Sequence, residues 1–240
     1  MQLPNSANAC LAWFCANTGF VNISSANTTP TVSSMIDKTS GLGAVQTTVA
    51  NQPTFVGSTY GVPSSYPTLA FNGSSANLTF DSLSSEIANG FTVFVAASTS
   101  VPATANMDLL SFGKAAADGY IQMFISSSKA GFSSKNDAAA VVAPATAGTV
   151  DTAMHLYTLV YLPGNTLTLR LDGTQIVQAG ISGVFSVNTC TIGALRNNSS
   201  TSRYLNGNIA EIAVYAGQAD LTAVENYFSN KYLQGLNREV

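Results

Sequence analysis

Apolar positions in this chain recur mostly with a period of two, or in short unbroken runs, and both patterns predict β-strands rather than helices. Phe91-Thr92-Val93-Phe94-Val95-Ala96-Ala97 is β-branched, aromatic and apolar on both faces, as expected of an inner strand of a sandwich. Tyr120–Ile125 forms a second run, and Leu156–Leu162 a third that stops at Pro163-Gly164-Asn165. Leu167, Leu169 and Leu171 then alternate with Thr166, Thr168, Arg170 and Asp172, giving one apolar and one polar face. Asp172-Gly173 predicts a two-residue hairpin turn, whose central positions both favour positive φ, and Thr174–Gln178 returns from it. The unit is a β-meander. Gly207–Tyr215 predicts a further strand.

One segment carries a different period. Thr222-Ala223-Val224-Glu225 has the form of a capping box, and Val224, Tyr227, Phe228 and Tyr232 follow at helical spacing, which predicts a short helix over 222–233. Residues 134–152, rich in Ala, Ser and Gly, are expected to form a long surface connection with an edge strand. The first 65 residues are loop-heavy and rich in Ser, Thr and Asn. No internal repeat is visible, and one domain over residues 1–240 fits best.

Composition narrows the partners. Charged residues make up 9% of the 240 residues and the net charge is −3, against roughly 25% charged residues in a usual soluble domain. The polar surface therefore consists of hydroxyls and amides, and it carries little field to steer a charged partner. No basic run exists, which argues against nucleic acid and anionic membranes. No apolar run is long enough for a membrane-spanning helix, so no membrane insertion is expected. The start at Met1-Gln2-Leu3-Pro4-Asn5 lacks a basic region and an apolar core, so export by a secretory signal is not expected. Cys10, Cys15 and Cys190 lack metal-type spacing; Cys10 and Cys15 are expected on opposite faces of one strand, unpaired, as free thiols.

The order of motifs resembles the concanavalin A-like lectin/glucanase superfamily, in particular the laminin-G-like jelly rolls of bacteriophage virion and bacterial surface proteins. Leu11-Ala12-Trp13-Phe14 resembles the first strand, and Asp37–Ala44 the family's Asp-x-Ser-Gly-x-Gly turn with one extra residue. Asn51–Phe55 and Pro67–Gly73 resemble the segments leading into its Phe-Asp-Gly strand end. Leu109–Gly113, Ile192-Gly193 and Gly207–Ile212 resemble later strands, and Leu221–Leu233 the C-terminal helix. Met35 stands where the family often has Trp, and Asn72 replaces the usual Asp. The resemblance implies an all-β, two-sheet antiparallel jelly-roll sandwich with one short C-terminal helix. It implies no activity, because this sandwich carries lectins, glycosidases and inert modules alike.

Chemistry is sparse. Glycoside hydrolysis needs two carboxylates flanking a cleft, and the Glu-x-Asp-x-x-Glu strand of the glucanases is absent. Of Glu86, Glu211, Glu225 and Glu239, Glu211 sits on an apolar strand and Glu225 is given to helix capping. His155, the only histidine, reads as an imidazole packed at a strand start. No catalytic residue and no cofactor are assigned, and the chain is expected not to be an enzyme. Zinc is excluded by ligand count. Calcium remains open because its ligands include Asn and backbone oxygens, with Asp37, Asn72, Asp108 and Asp172 as candidates that no calcium-loop pattern unites. Trp13, in the first strand, is expected in the core.

The binding signal lies in loop aromatics, whose faces suit the C–H patches of sugars. Tyr60 and Tyr66 lie in a Gly/Pro/Ser loop, and Arg196, Asn198 and Tyr204 in another; these five are the candidate carbohydrate-binding residues. The bland role for the tyrosines is as loop anchors. The expected function is a non-catalytic structural module of a bacteriophage virion, a capsid decoration or tail component with weak glycan binding. Its expected partners are other virion proteins, surface glycans and further copies of itself in a homo-oligomer. The alternative is a carbohydrate-binding lectin or receptor-binding protein for host attachment at a cell surface, with a polysaccharide-degrading enzyme behind it.

Overall fold

A computed structural model describes residues 9–16, 21–23, 30–57, 66–81, 83, 87, 89–100, 106–114, 119–138, 141–164, 166–181, 183, 185–197 and 200–233. Its strands in chain order begin with β1 (Cys10–Cys15), β2 (Val21–Ile23), β3 (Val32–Ile36), β4 (Gly43–Val45), β5 (Thr54–Val56), β6 (Thr68–Asn72) and β7 (Leu78–Phe80). The long strands follow: β8 (Phe91–Thr99), β9 (Met107–Gly113), β10 (Tyr120–Ser126), β11 (Lys129–Lys135), β12 (Val141–Ala147), β13 (His155–Leu162), β14 (Thr166–Leu171) and β15 (Thr174–Gly180). The last are β16 (Thr189–Ile192), β17 (Leu195–Asn197), β18 (Ser200–Ser202) and β19 (Asn206–Ala216), before a helix α1 (Leu221–Phe228).

Two antiparallel sheets stack. One runs β15-β14-β13-β8-β19-β6-β5, with β1 also on β19; the other runs β12-β11-β10-β9-β16-β7-β4-β3-β2. Strand β19 is long enough to pair with two neighbours on one side, β6 along Asn206–Ile209 and β1 along Glu211–Tyr215. The expected two-sheet sandwich with a short C-terminal helix is thus the observed fold. The meander β13–β14–β15 is present, with Asp172 at φ 49° and Gly173 at φ 81° in its turn. The stretch expected to hold an edge strand supplies β12 at the end of its sheet.

The core follows from alternation. Phe91, Val93, Val95 and Ala97 of β8 and Ile209, Ile212 and Val214 of β19 face inward, against Leu110, Phe112, Ile121, Met123 and Ile192 of the other sheet. The opposite face of β8 and β19 is also apolar, and Phe94, Ala96, Ala213 and Tyr215 pack under Val224, Tyr227, Phe228 and Tyr232 of the C-terminal segment. The helix therefore roofs a sheet that would otherwise expose a second apolar face.

This roof is closed by a buried acid. A register shift between Ile209 and Glu211 places Glu211, fully buried, on the outer face of β19. It accepts bonds from Trp13 Nε1 at 2.5 Å, Tyr227 Oη at 2.9 Å, Tyr232 Oη at 2.5 Å and Lys231 Nζ at 2.5 Å. The acid that reads from sequence as a lone carboxylate on an apolar strand is the anchor joining β1, β19 and the C-terminal segment. Trp13, expected in the core, lies half-buried on this outer face, with Lys38 Nζ 3.6 Å from its ring centre.

Two further corrections have local causes. The capping box does not form: the helix starts one residue earlier, capped by the Asp220 side chain on Ala223 N, and continues as a wider π turn through Ser229–Leu233. Glu225 instead grips Arg170 with both oxygens, at 2.7 and 3.0 Å, tying the helix to β14. Cys10 and Cys15 share the outer face, because a register shift between Cys10 and Ala12 reverses the alternation. All three thiols are free, Cys10 half-buried and the other two buried. Burial pushes the Cys10 thiol up to about 12.

His155 opens β13, as expected, but between two acids. Its Nδ1 lies 2.7 Å from Asp172 Oδ2 in the hairpin turn, and its Nε2 lies 3.1 Å from Asp151 Oδ1. Asp172 also accepts from Leu156 N at 2.8 Å. The hydrogen bond to Asp172 raises the His155 pKa above its ordinary value, against the opposing effect of burial. The Asp151 pKa is lowered by its bonds to Ala153 N and His155.

Two predictions follow from this layer of structure. Glu211→Ala strands Lys231 and three neutral donors without their acceptor, and chemical denaturation should show a loss of about 3–5 kcal/mol. An unchanged midpoint would show that Glu211 does not anchor the roof. The contribution of His155 is complete below its unfolded pKa of about 6.5 and is lost as pH rises through its raised folded value. That of Asp151 is lost as pH falls through its lowered value. Stability measured from pH 5 to 9 should therefore fall across the His155 titration in the native chain, and His155→Gln should flatten that segment of the curve.

Candidate functional site

The outer face of the nine-stranded sheet is polar, in contrast to the roofed face opposite. Cross-strand pairing sets Val45, Thr79, Thr191, Ser111, Gln122 and Ser133 in one row across β4, β7, β16, β9, β10 and β11. Their neighbours Leu78, Phe80, Leu110, Phe112, Ile121 and Met123 point into the core, so alternation sends this row outward. Most of the row is nonetheless buried, because the β17–β18 hairpin lies over it. Ser111 Oγ donates to Ala194 O at 3.0 Å and accepts from Arg196 N at 2.9 Å, which fastens the hairpin to the sheet.

The chain reaches the hairpin through Gly193, at φ +78°, where a Cβ would lie 2.3 Å from the Phe71 ring. Only glycine fits that approach. Beneath the hairpin, the amide orientation of Gln122 that satisfies its neighbours donates to Asp108 Oδ2 at 2.8 Å. Its oxygen accepts from Ser133 Oγ at 2.5 Å and Arg203 Nη1 at 2.8 Å. Burial drives the Asp108 carboxyl well above the usual carboxylate range, against the pull of Arg203.

The row emerges at Thr79 and Val45, beyond the hairpin edge, and there a groove of about 350 Å³ opens to solvent. Four stretches of chain line it: Val45–Thr47, Asn51, Asn77–Asp81 and the hairpin with Arg196, Thr201 and Tyr204. Its polar ends are held in place by neighbours. Gln46 Nε2 donates to Asn77 Oδ1 at 3.1 Å, Asn77 Nδ2 to Ser75 O at 2.9 Å, and Arg196 Nη1 to Asp81 Oδ1 at 3.2 Å. The half-buried Tyr204 donates its hydroxyl to Thr201 O at 3.2 Å, so it is both a loop anchor and a wall of the groove.

Of the five residues singled out from the sequence, Arg196 and Tyr204 come together in this groove. Tyr66 does not join them. It lies edge-on to Tyr232, ring centres 4.9 Å apart, on the roofed side of the sandwich. Tyr60 and Asn198 lie outside the described residues. Sequence reading missed Gln46, Asn77, Thr79 and Asp81 as groove residues; Asn77-Leu78-Thr79 is one of several Asn-x-Ser/Thr matches in a chain rich in these residues, and the one available signal was the outward parity of Thr79 between Leu78 and Phe80.

The acids considered for calcium are scattered and locally engaged. Asp37 is fully buried and accepts from Trp13 N, Thr39 N and Oγ1, and Ser40 N and Oγ, closing the turn after β3. Asn72 accepts from Ser74, Ser75 and Ala76 N in the turn after β6. Asp108 lies under the hairpin and Asp172 in the β14–β15 turn. Among the described residues, no three His, Cys, Asp or Glu side chains group to hold a metal ion. Among the described residues, Asp81 is the one carboxylate that lines the groove.

No protein-family profile and no curated protein matches the chain. Solved structures do. The receptor-binding domain of botulinum neurotoxin type G superposes with a TM-score of 0.58 at 11% identity, over 92% of this chain and 51% of that one. The binding domain of botulinum neurotoxin DC in complex with SialylT gives 0.57 at 9% identity, over 92% and 51%. The CBM40 of Ruminococcus gnavus IT-sialidase, bound to α2,3 sialyllactose, gives 0.50 at 14% identity, over 59% of this chain and 84% of that one. The chain spans about half the length of the two toxin domains, and at these identities the likeness is one of fold: a β-sandwich shared with binding domains.

Proposed function

We propose that this protein is a non-catalytic glycan-binding module of concanavalin A-like architecture, and that the groove beside the β17–β18 hairpin holds the sugar. One observation carries the reading: a tyrosine wall and hydrogen-bonding ends of both senses, from four separate stretches of chain, converge on an open groove of about 350 Å³. Sugars present ring hydroxyls that both donate and accept, and C–H faces that pack on aromatics, so they fit such a lining. Holding Gln46, Asn77 and Arg196 in place through neighbouring bonds lowers the ordering cost of binding.

The solved neighbours support this reading, since one is a CBM40 with bound sialyllactose and others are receptor-binding domains of toxins. Among the described residues the groove holds one carboxylate, which supports binding over hydrolysis, since hydrolysis needs an acid pair. A place in a bacteriophage virion, docked on other virion proteins, has only the sequence reading behind it. The lectin or receptor-binding alternative is the one that the groove favours.

The test is a glycan array followed by calorimetric titration of the best binder. Binding is expected, and Tyr204→Ala should weaken it at least about tenfold while the native circular dichroism spectrum is retained. Release of oligosaccharide from a bound glycan, or binding indifferent to Tyr204→Ala, would overturn the proposal.

A further inference from the structure

The charges of the groove carry a conclusion about the class of sugar, one that rests on the glycan-binding reading. Among the described residues, two lining side chains are charged, Arg196 and Asp81, and they form an ion pair at 3.2 Å. The other described lining residues are uncharged. Nothing in the chain at large offsets this neutrality toward the positive, because the net charge is −3 with 9% charged residues.

We infer that the groove selects uncharged sugars, with Asp81 and Arg196 acting as a coupled acceptor and donor for adjacent ring hydroxyls. Asp81 keeps 60% of its side chain exposed and Arg196 25%. An ion pair that open to water is weak, so both partners can turn part of their hydrogen bonding to a ligand at little cost. A carboxylate accepts from two neighbouring hydroxyls, and the guanidinium donates to hydroxyl or ring oxygens. Arg196 enters the groove from a fixed backbone position, since its amide is bonded to Ser111 Oγ. Gln46 and Asn77 add neutral partners to the same lining.

An acidic sugar meets a different situation. A carboxylate seated against Arg196 must compete with Asp81 for the guanidinium and come to rest beside a second negative charge. Like charges about 4 Å apart repel, and at a site this open to water the repulsion costs on the order of a few-fold in affinity. Asp81 thus works against the wrong ligand as well as for the right one. The inferred preference is thus for a different class of sugar from the α2,3 sialyllactose bound to the CBM40 neighbour.

The experiment uses the full chain on an array of paired glycans, each present with and without a terminal sialic acid, followed by titration calorimetry with the tightest neutral member and its sialylated partner. The neutral member should bind at least about threefold more tightly. Asp81→Asn, at an exposed position, should lower that affinity about tenfold and narrow or invert the preference; an unchanged melting temperature excludes misfolding as the cause. Tighter binding of the sialylated partner would overturn the inference and leave glycan binding standing. A neutral preference that survives Asp81→Asn would remove Asp81 from the selection and overturn it too. Failure to bind any glycan on the array would overturn both this inference and the function on which it rests.

Discussion

The architecture depends on two adjacent strands, β8 and β19, that are apolar on both faces. Such strands cannot lie at the surface of a sandwich. Their inner faces are satisfied by the opposing sheet, and their outer faces require a second cover. The C-terminal segment is that cover, and it is held by polar ties: Glu211 gathers donors from β1 and the roof, and Glu225 clamps Arg170 of β14. A buried carboxylate is costly unless its oxygens are fully engaged, and here Trp13, Tyr227, Tyr232 and Lys231 engage them. The same residues that make the burial tolerable define where the helix sits.

The other sheet solves the problem in the reverse sense. Its outer face carries hydroxyls and amides, so it needs no apolar roof, and a short hairpin lies across it through hydrogen bonds to Ser111 and Gln122. Because the hairpin covers only part of the row, the polar face reappears at its edge. Binding groups in the groove are therefore the uncovered end of an ordinary structural feature. This origin explains its neutrality: a chain so poor in charge lines its exposed sheet with amides and hydroxyls, and one ion pair stands among them.

Legibility in the sequence followed the range of the interactions involved. The meander from His155 to Gly180 could be read because its pairing is local, its alternation is regular and its turn is set by Asp172-Gly173. Strand β8 could be read as doubly buried from its own composition. A misreading arose where one extra residue in a strand reversed the alternation, at Cys10/Ala12; the shift at Ile209/Glu211, which turns Glu211 to the roofed face, leaves no local sign in the sequence. Thr222 and Glu225 match a capping box, yet Asp220 lies two residues earlier and Arg170 offers Glu225 a better partner.

By itself the sequence determined the class of fold, the long strands, the hairpin turn, the terminal helix and the lack of charge at the surface, since each follows from neighbouring residues and from composition. Tertiary structure alone decided which loops meet. It joined Arg196 and Tyr204 to Gln46, Asn77 and Asp81, of which the nearest in sequence, Asp81, is 115 positions from Arg196, and it sent Tyr66 to the opposite face. Sheet order makes those choices, and it is set by burial summed over the whole core, which no local pattern encodes.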